Sequence, residues 1–248
     1  MRIAVIADIH GNVLALEAVL ADIAKREVTR TINLGDLVSG PLWPRETVER
    51  LAPLDLLTVR GNHDRWVAGP DAAKMFGSDR YAHGELTPAQ RSWLGALPVT
   101  ADAGDGIFAF HARPDDDNAY LIEDIVNAAL VRAPAEAIRA RLGDTTARVV
   151  LCGHSHLPHV VQLPGGPLIL NPGSVGCPAY DDPTADPHVS EAGAPFARYA
   201  IVTIDGEHVA VELISIPYPW EEAARRAEHN GRKEWAYALR TGFIGRSA

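Results

Sequence analysis

Three short apolar runs, Arg2–Ala7, Arg30–Leu34 and Asp55–Val59, each stop at a polar turn that contains glycine. The turns read DIHGN after the first run, GD after the second and RGNHD after the third. Helical spacing fills the gaps between them. Leu14, Leu16, Val19, Leu20 and Ile23 form one face of a helix over about Val13–Arg26, with Asn12 placed to cap it. Pro44 to Leu51 reads as a second, shorter helix. Strands this short and β-branched are buried on both faces, which predicts a mostly parallel sheet covered by helices. In such a sheet, functional groups gather at the carboxyl ends of the strands.

The same pattern returns later in the chain. Gly106–Phe110 reads as a strand running into His111, and Arg148–Cys152 as a strand that delivers GHSH. Thr87–Leu97 reads as a helix, with Thr87 as its cap and Pro88 at its first position. Residues 119–142 carry helical spacing twice, interrupted by Pro134. Hairpins are expected around PGGP, joining Val160–Leu163 to Leu168–Leu170, and around DGE, joining Arg198–Ile204 to His208–Ile216. Residues 176–195 are rich in Pro, Asp, Ala and Gly and read as a long surface loop. Its Tyr180, Asp181, Asp182 and His188 either line a pocket or belong to a disordered lid. A charged helical tail occupies about 219–245, where Trp220, Trp235, Tyr237 and Phe243 either pack on the body of the protein or form a contact between two copies. No linker or repeat divides the chain, so residues 1–248 are expected to form one domain.

The polar residues that end these strands are Asp8, His10, Asp36, Asn62, His63, His111, His154 and His156. Alternate residues of an extended segment point the same way, which would aim Asp8 with His10, and His154 with His156, at one place. Carboxylate and imidazole without thiolate suit Mn, Fe, Co, Ni or Zn. Seven such ligands exceed the needs of one catalytic ion with an open position. They fit two divalent ions if one carboxylate is shared, as in phosphatases and nucleases.

The order DIHGN, GD, GNHD, a lone His after a strand, and GHSH resembles the calcineurin-like metallophosphoesterase family, over residues 8–156. NPGSV at 171–175 resembles a further segment of its small bacterial members. The resemblance implies an α/β (mixed α+β) fold, a four-layer α-β-β-α sandwich of two mixed sheets flanked by helices. It implies one metal held by Asp8, His10, Asp36 and His156, and another by Asp36, Asn62, His111 and His154, with Asp36 bridging. His63 is the family's histidine that holds no metal. One departure stands at Ala112, where many members have glycine after the histidine.

Such a site would hydrolyse a phosphate ester by in-line attack of a hydroxide held between the ions. His63 is expected to act as general acid to the leaving oxygen or as a donor to a phosphoryl oxygen. Asp64 either orients the His63 ring or caps a helix. Asn12 caps a helix, contacts substrate, or does both, since a helix N-terminus favours an anion. Arg113 either clamps a phosphate or is solvated. A small diester or nucleotide is the favoured substrate. The alternatives are a phosphomonoester, a phosphoprotein or a dinucleoside polyphosphate.

The net charge of −9 argues against a protein that coats long nucleic acid. The first turn lacks GxGxxG, so a dinucleotide-binding reading fails. All candidate ligands are present, which disfavours a binding module that has lost catalysis. Two cysteines, Cys152 and Cys177, without an apolar leader or spanning segment, lead to the expectation of a cytoplasmic protein without a membrane partner.

Overall fold

The computed structural model describes residues 1–184 and 186–245; Ala185 and residues 246–248 lie outside the described residues. The first half of the chain forms β1 (Arg2–Ile6), α1 (Val13–Ile23), β2 (Arg30–Asn33), α2 (Pro44–Leu51), β3 (Leu57–Thr58), α3 (Asn62–Ala68), α4 (Gly77–Glu85), α5 (Pro88–Ala96), β4 (Thr100–Asp102) and β5 (Ile107–Phe110). The second half forms β6 (Glu123–Val126), β7 (Ala129–Arg132), α6 (Ala135–Leu142), β8 (Val149–Leu151), β9 (Pro158–Gln162), β10 (Leu168–Pro172), β11 (Ala179–Asp182), β12 (His188–Glu191), β13 (Ala197–Asp205), β14 (His208–Ile216), α7 (Trp220–His229) and α8 (Lys233–Thr241).

Two five-stranded sheets carry the fold, in the orders β14-β13-β1-β2-β3 and β4-β5-β8-β10-β9. Each has a parallel core: β1, β2 and β3 in one, β5, β8 and β10 in the other. Antiparallel strands close the margins. Side-chain alternation decides the layers. Ile3, Val5 and Ala7 of the first sheet meet Ile107, Ala109, Val149, Leu151 and Leu170 of the second in a buried slab between them. The opposite parity, Ala4 and Ile6, packs outward on α1, α2, α7 and α8. Phe110, Val150 and Ile169 pack outward on the other side, against Ile138 and Leu142 of α6. The result is the expected sandwich, with helices, sheet, sheet and helix in turn.

A third sheet was not legible in the chain. Its order is β11-β12-β7-β6. It is assembled from two segments read otherwise. The first part of 119–142 is a hairpin rather than a helix: Val126 pairs with Ala129 across Asn127 and Ala128, whose φ angles are 52° and 60°. Two consecutive left-handed residues make the tight turn that matches strand twist. Alanine rarely adopts that conformation, so Ala128 gives no turn signal. Residues 176–195, read as a loop, contain the hairpin β11–β12. Elsewhere β3 is only two residues long, the helix that Asp64 is read as capping begins earlier, at Asn62, and α4 was not foreseen.

Candidate metal centre

All eight candidate residues converge at the carboxyl ends of the central strands, at the seam between the two large sheets. The turns that carry them are not extended. Asp8, His10, Asp36, His154 and His156 have φ between 52° and 70°. Left-handed backbone is uncommon outside glycine and costs free energy unless the surroundings fix it. Paired aiming of Asp8 with His10 and of His154 with His156 therefore comes from these turns, not from strand alternation. Neighbouring glycines serve close approach. Gly61 has ordinary φ, but a Cβ there would overlap the Asp36 carboxylate, and one on Gly35 would overlap the backbone of Gly61.

Two clusters form. Asp8, His10 and His156 are fully buried and present ligand atoms within 4.8 Å of one another. Asp36, His111 and His154 do the same, with His154 half-buried. In the first cluster His10 spends Nδ1–H on the Ser39 carbonyl at 2.6 Å, and His156 spends its own on the Cys177 carbonyl at 2.7 Å. Two Nε2 lone pairs are left facing each other 3.1 Å apart. Only a proton or a cation between them makes that arrangement favourable.

In the second cluster His111 donates Nδ1–H to the Leu34 carbonyl at 2.7 Å. His154 is turned the other way, with Nε2 against the Asn118 carbonyl at 3.0 Å, which leaves Nδ1 free. Carbonyl acceptors of this kind set tautomer and ring direction in metal-binding histidines. Asp8 Oδ1, Asn62 Oδ1 and His111 Nε2 are buried without a hydrogen-bond partner. Unsatisfied buried acceptors are costly and rare. Asp8 Oδ1 in the first cluster and His111 Nε2 in the second, with Asn62 Oδ1, fit cations held by oxygen and nitrogen.

Asp36 lies between the clusters. Its Oδ1 accepts the His63 backbone N–H at 3.0 Å. Its Oδ2 faces His111 Nε2 at 3.2 Å and His10 Nε2 at 3.9 Å, one imidazole from each cluster.

Comparison with known proteins agrees with this geometry. Residues 1–207 match the model of the calcineurin-like phosphoesterase superfamily domain. The chain belongs to that superfamily. An uncharacterized protein of Methanocaldococcus jannaschii is 29% identical over 259 residues, covering 94% of each chain. A metallophosphoesterase from Sphaerobacter thermophilus shares the fold with a TM-score of 0.74 and 26% identity, covering 98% of this chain and 100% of its own. A hypothetical protein from Pyrococcus horikoshii gives a TM-score of 0.75 at 20% identity, covering 98% and 99%. This protein is thus a metal-dependent phosphoesterase, and among the described residues no helix is long and apolar enough to cross a membrane.

The remaining site residues of the phosphoesterase are distributed differently from the sequence reading. The carboxylate that meets the His63 ring is Asp79, 2.7 Å from Nδ1 and fully buried on α4. Asp64 instead accepts the backbone N–H groups of Asp36, Leu37 and Gly61 at 2.8, 2.9 and 3.0 Å. Asn12 is fully buried and caps α1 through Ala15 N–H, with its amide nitrogen on the Gly176 carbonyl and the Tyr218 hydroxyl. The capping role is therefore the one the fold displays, with both amide N–H groups held by the protein. Arg113 ties Nε to the Tyr120 carbonyl at 3.0 Å. Cys152 and Cys177 are buried free thiols.

Of the supporting residues, Asn118, Tyr120, Ser155 and Glu123 gave no sequence signal, whereas Tyr180, His188 and the NPGSV segment belong to the sequence reading. Asn118 accepts Asn62 Nδ2 at 3.0 Å through its side chain as well as His154 through its carbonyl. Tyr120 stacks on His154 with ring centroids 4.8 Å apart, and its hydroxyl meets Tyr180 and His188 of the third sheet. Ser155, between the two GHSH histidines, donates to the buried Glu123 at 2.6 Å. The NPGSV segment buttresses both histidine turns: Asn171 donates to the Gly153 carbonyl and Ser174 to the Asp8 carbonyl, each at 2.7 Å.

Electrostatics separate the imidazoles of each cluster. Burial and the neighbouring His156 push His10 down to about 4, and burial and His111 push His154 down to about 3. Burial works against His111 too, but the Asp36 charge prevails and lifts it to about 9. Burial likewise opposes protonation of His63, and the charges of Asp36 and Asp79 outweigh it, leaving His63 above its ordinary value.

Proposed function

We propose that this phosphoesterase is a two-metal phosphodiesterase acting on a small diester or nucleotide. One divalent ion is held by Asp8, His10, Asp36 and His156, the other by Asp36, Asn62, His111 and His154. The observation that carries this reading is Asp36 Oδ2, which faces one imidazole of each cluster. When bound, the ions supply an activated water and positive charge for the phosphoryl oxygens. The chain supplies the rest. Backbone contacts at Ser39, Cys177, Leu34 and Asn118 fix four rings before any ligand arrives. Asp79 holds His63 by Nδ1, so the protonated ring presents Nε2–H to the leaving oxygen.

The neighbouring arginines favour a diester. Arg65 is committed to Asp117 by two hydrogen bonds, and Arg113 is tied to the Tyr120 carbonyl. With Arg65 spent on Asp117, only the terminal nitrogens of Arg113 are left to meet a phosphoryl oxygen, which suits a singly charged diester better than a doubly charged monoester.

Turnover of bis-p-nitrophenyl phosphate and of p-nitrophenyl phosphate, with and without manganese, tests the reading. Faster, metal-dependent cleavage of the diester is expected. Faster cleavage of the monoester would make the protein a phosphomonoesterase, and no turnover of either with both ions bound would end the proposal. His63→Ala is expected to retain both ions and lose about a hundredfold in turnover.

A further inference from the structure

The two clusters account for a phosphoryl group but not for what it carries. A file of rings leads away from them. His10 and His63 have centroids 5.4 Å apart, His63 and Trp66 4.8 Å, and Trp66 and Phe76 6.2 Å. The file starts among buried ligands and ends at Phe76, which is 55% exposed. His63 stands at the transition, with its side chain 27% exposed. Phe76 is the most exposed of the large hydrophobic side chains among the described residues, so its ring is open to a ligand.

The indole is also held in place. The Arg65 guanidinium lies 5.5 Å from the Trp66 ring centre, and Asp117 fixes that guanidinium with hydrogen bonds of 2.8 and 2.6 Å. Cation–π contact together with the Asp117 fork orients the ring in advance, which lowers the cost of binding something against it.

We propose that Trp66 and Phe76 form a subsite for a planar aromatic group, a nucleobase or aryl ring, on the leaving-group side of the ester. The inference rests on the phosphoesterase reading above, since it is His63 that places the leaving group on this rim. The ring recognised here is uncharged and flat, and stacking accepts it without regard to base identity. The preferred esters are then nucleotide or aryl esters, and sugar or glycerol phosphates of equal charge bind less well.

Competitive inhibition by adenosine 5′-monophosphate and by ribose 5-phosphate isolates this contribution, because the two share phosphate and sugar and differ by the base. The wild-type protein loaded with manganese is expected to bind the nucleotide at least about tenfold more tightly. Trp66→Ala should bring the ratio close to one while leaving the ribose 5-phosphate constant and the metal content unchanged. Trp66→Phe should keep most of the ratio. Phe76→Ala, at an exposed position that the fold does not need, should reduce it severalfold. A wild-type ratio near one overturns the proposal, as does a Trp66→Ala variant that weakens both inhibitors equally. If neither compound competes while bis-p-nitrophenyl phosphate is still turned over, the subsite proposal falls; if bis-p-nitrophenyl phosphate is not turned over either, it is the proposed function that fails, so the two failures are separable.

Discussion

The two clusters use the same chemistry and are built in opposite ways. Asp8, His10 and His156 are set in the core, each imidazole pinned by a carbonyl of a buried segment. Asp36, His111 and His154 share only half of that construction. His111 is held from the core by Leu34, whereas His154 is half-buried and leans on Asn118 and Tyr120, which belong to an irregular stretch over 113–120. One candidate ion site is fixed by the sandwich, the other is completed by a loop. The lesson is that equal donors do not make equal sites: the groups behind the donors decide how firmly an ion is kept.

The sharpest way to break this comparison is Asp36→Asn, because Asp36 faces both clusters. Metal content, measured by mass spectrometry of the purified protein, is expected to fall below one ion per chain, and turnover of the aryl diester to fall by about a thousandfold. Retention of two ions would show that the clusters share nothing.

Next in size is the contrast between His10→Ala and His154→Ala. The first leaves a buried gap and an unpaired Ser39 carbonyl, so about 2 kcal/mol of stability should be lost, which thermal unfolding would read as a Tm lower by roughly 6 °C. The second should leave Tm nearly unchanged and reduce metal content from two ions to one. Equal Tm losses would contradict the difference in construction.

Asn118→Ala sharpens the comparison without touching a ligand. It frees Asn62 Nδ2, and titration calorimetry should show one of two binding events weakened by about 10- to 100-fold, with the other unmoved. Tyr120→Phe should have the smallest effect. It keeps the ring on His154 and removes a hydroxyl shared with Tyr180 and His188, so roughly fivefold in the affinity of the same event is expected from a hydrogen bond of about 1 kcal/mol.

The donors of both clusters were legible for a physical reason. β-Branched runs announce β1 and β8, and the polar residues that interrupt them at DIH and GHSH can only be turns or ligands. The left-handed backbone at Asp8, His10, His154 and His156 was not readable, because nothing in their side chains demands it. The loop-built cluster hides its supports. Asn118 stands after three aspartates and resembles a solvated turn. His63 hides its partner as well: Asp79 stands near the start of α4, where an acidic residue is ordinary dipole chemistry. Its partner His63 is 16 residues away, a pairing that only the packed helices create. The third sheet eluded pattern reading because β6, β7, β11 and β12 are four residues each and several of their outward positions, such as Val126 and Val131, remain exposed.

Asp64 carries the last consequence. With its two oxygens taken by the N–H groups of Asp36, Leu37 and Gly61, the turns after the second and third strands are riveted into one body. No hinge can open between them, so a change of substrate preference has little room at the floor of the centre. Diversity among relatives should therefore accumulate in the 113–120 stretch and along the aromatic margin, the parts that can be exchanged without loosening the rivet.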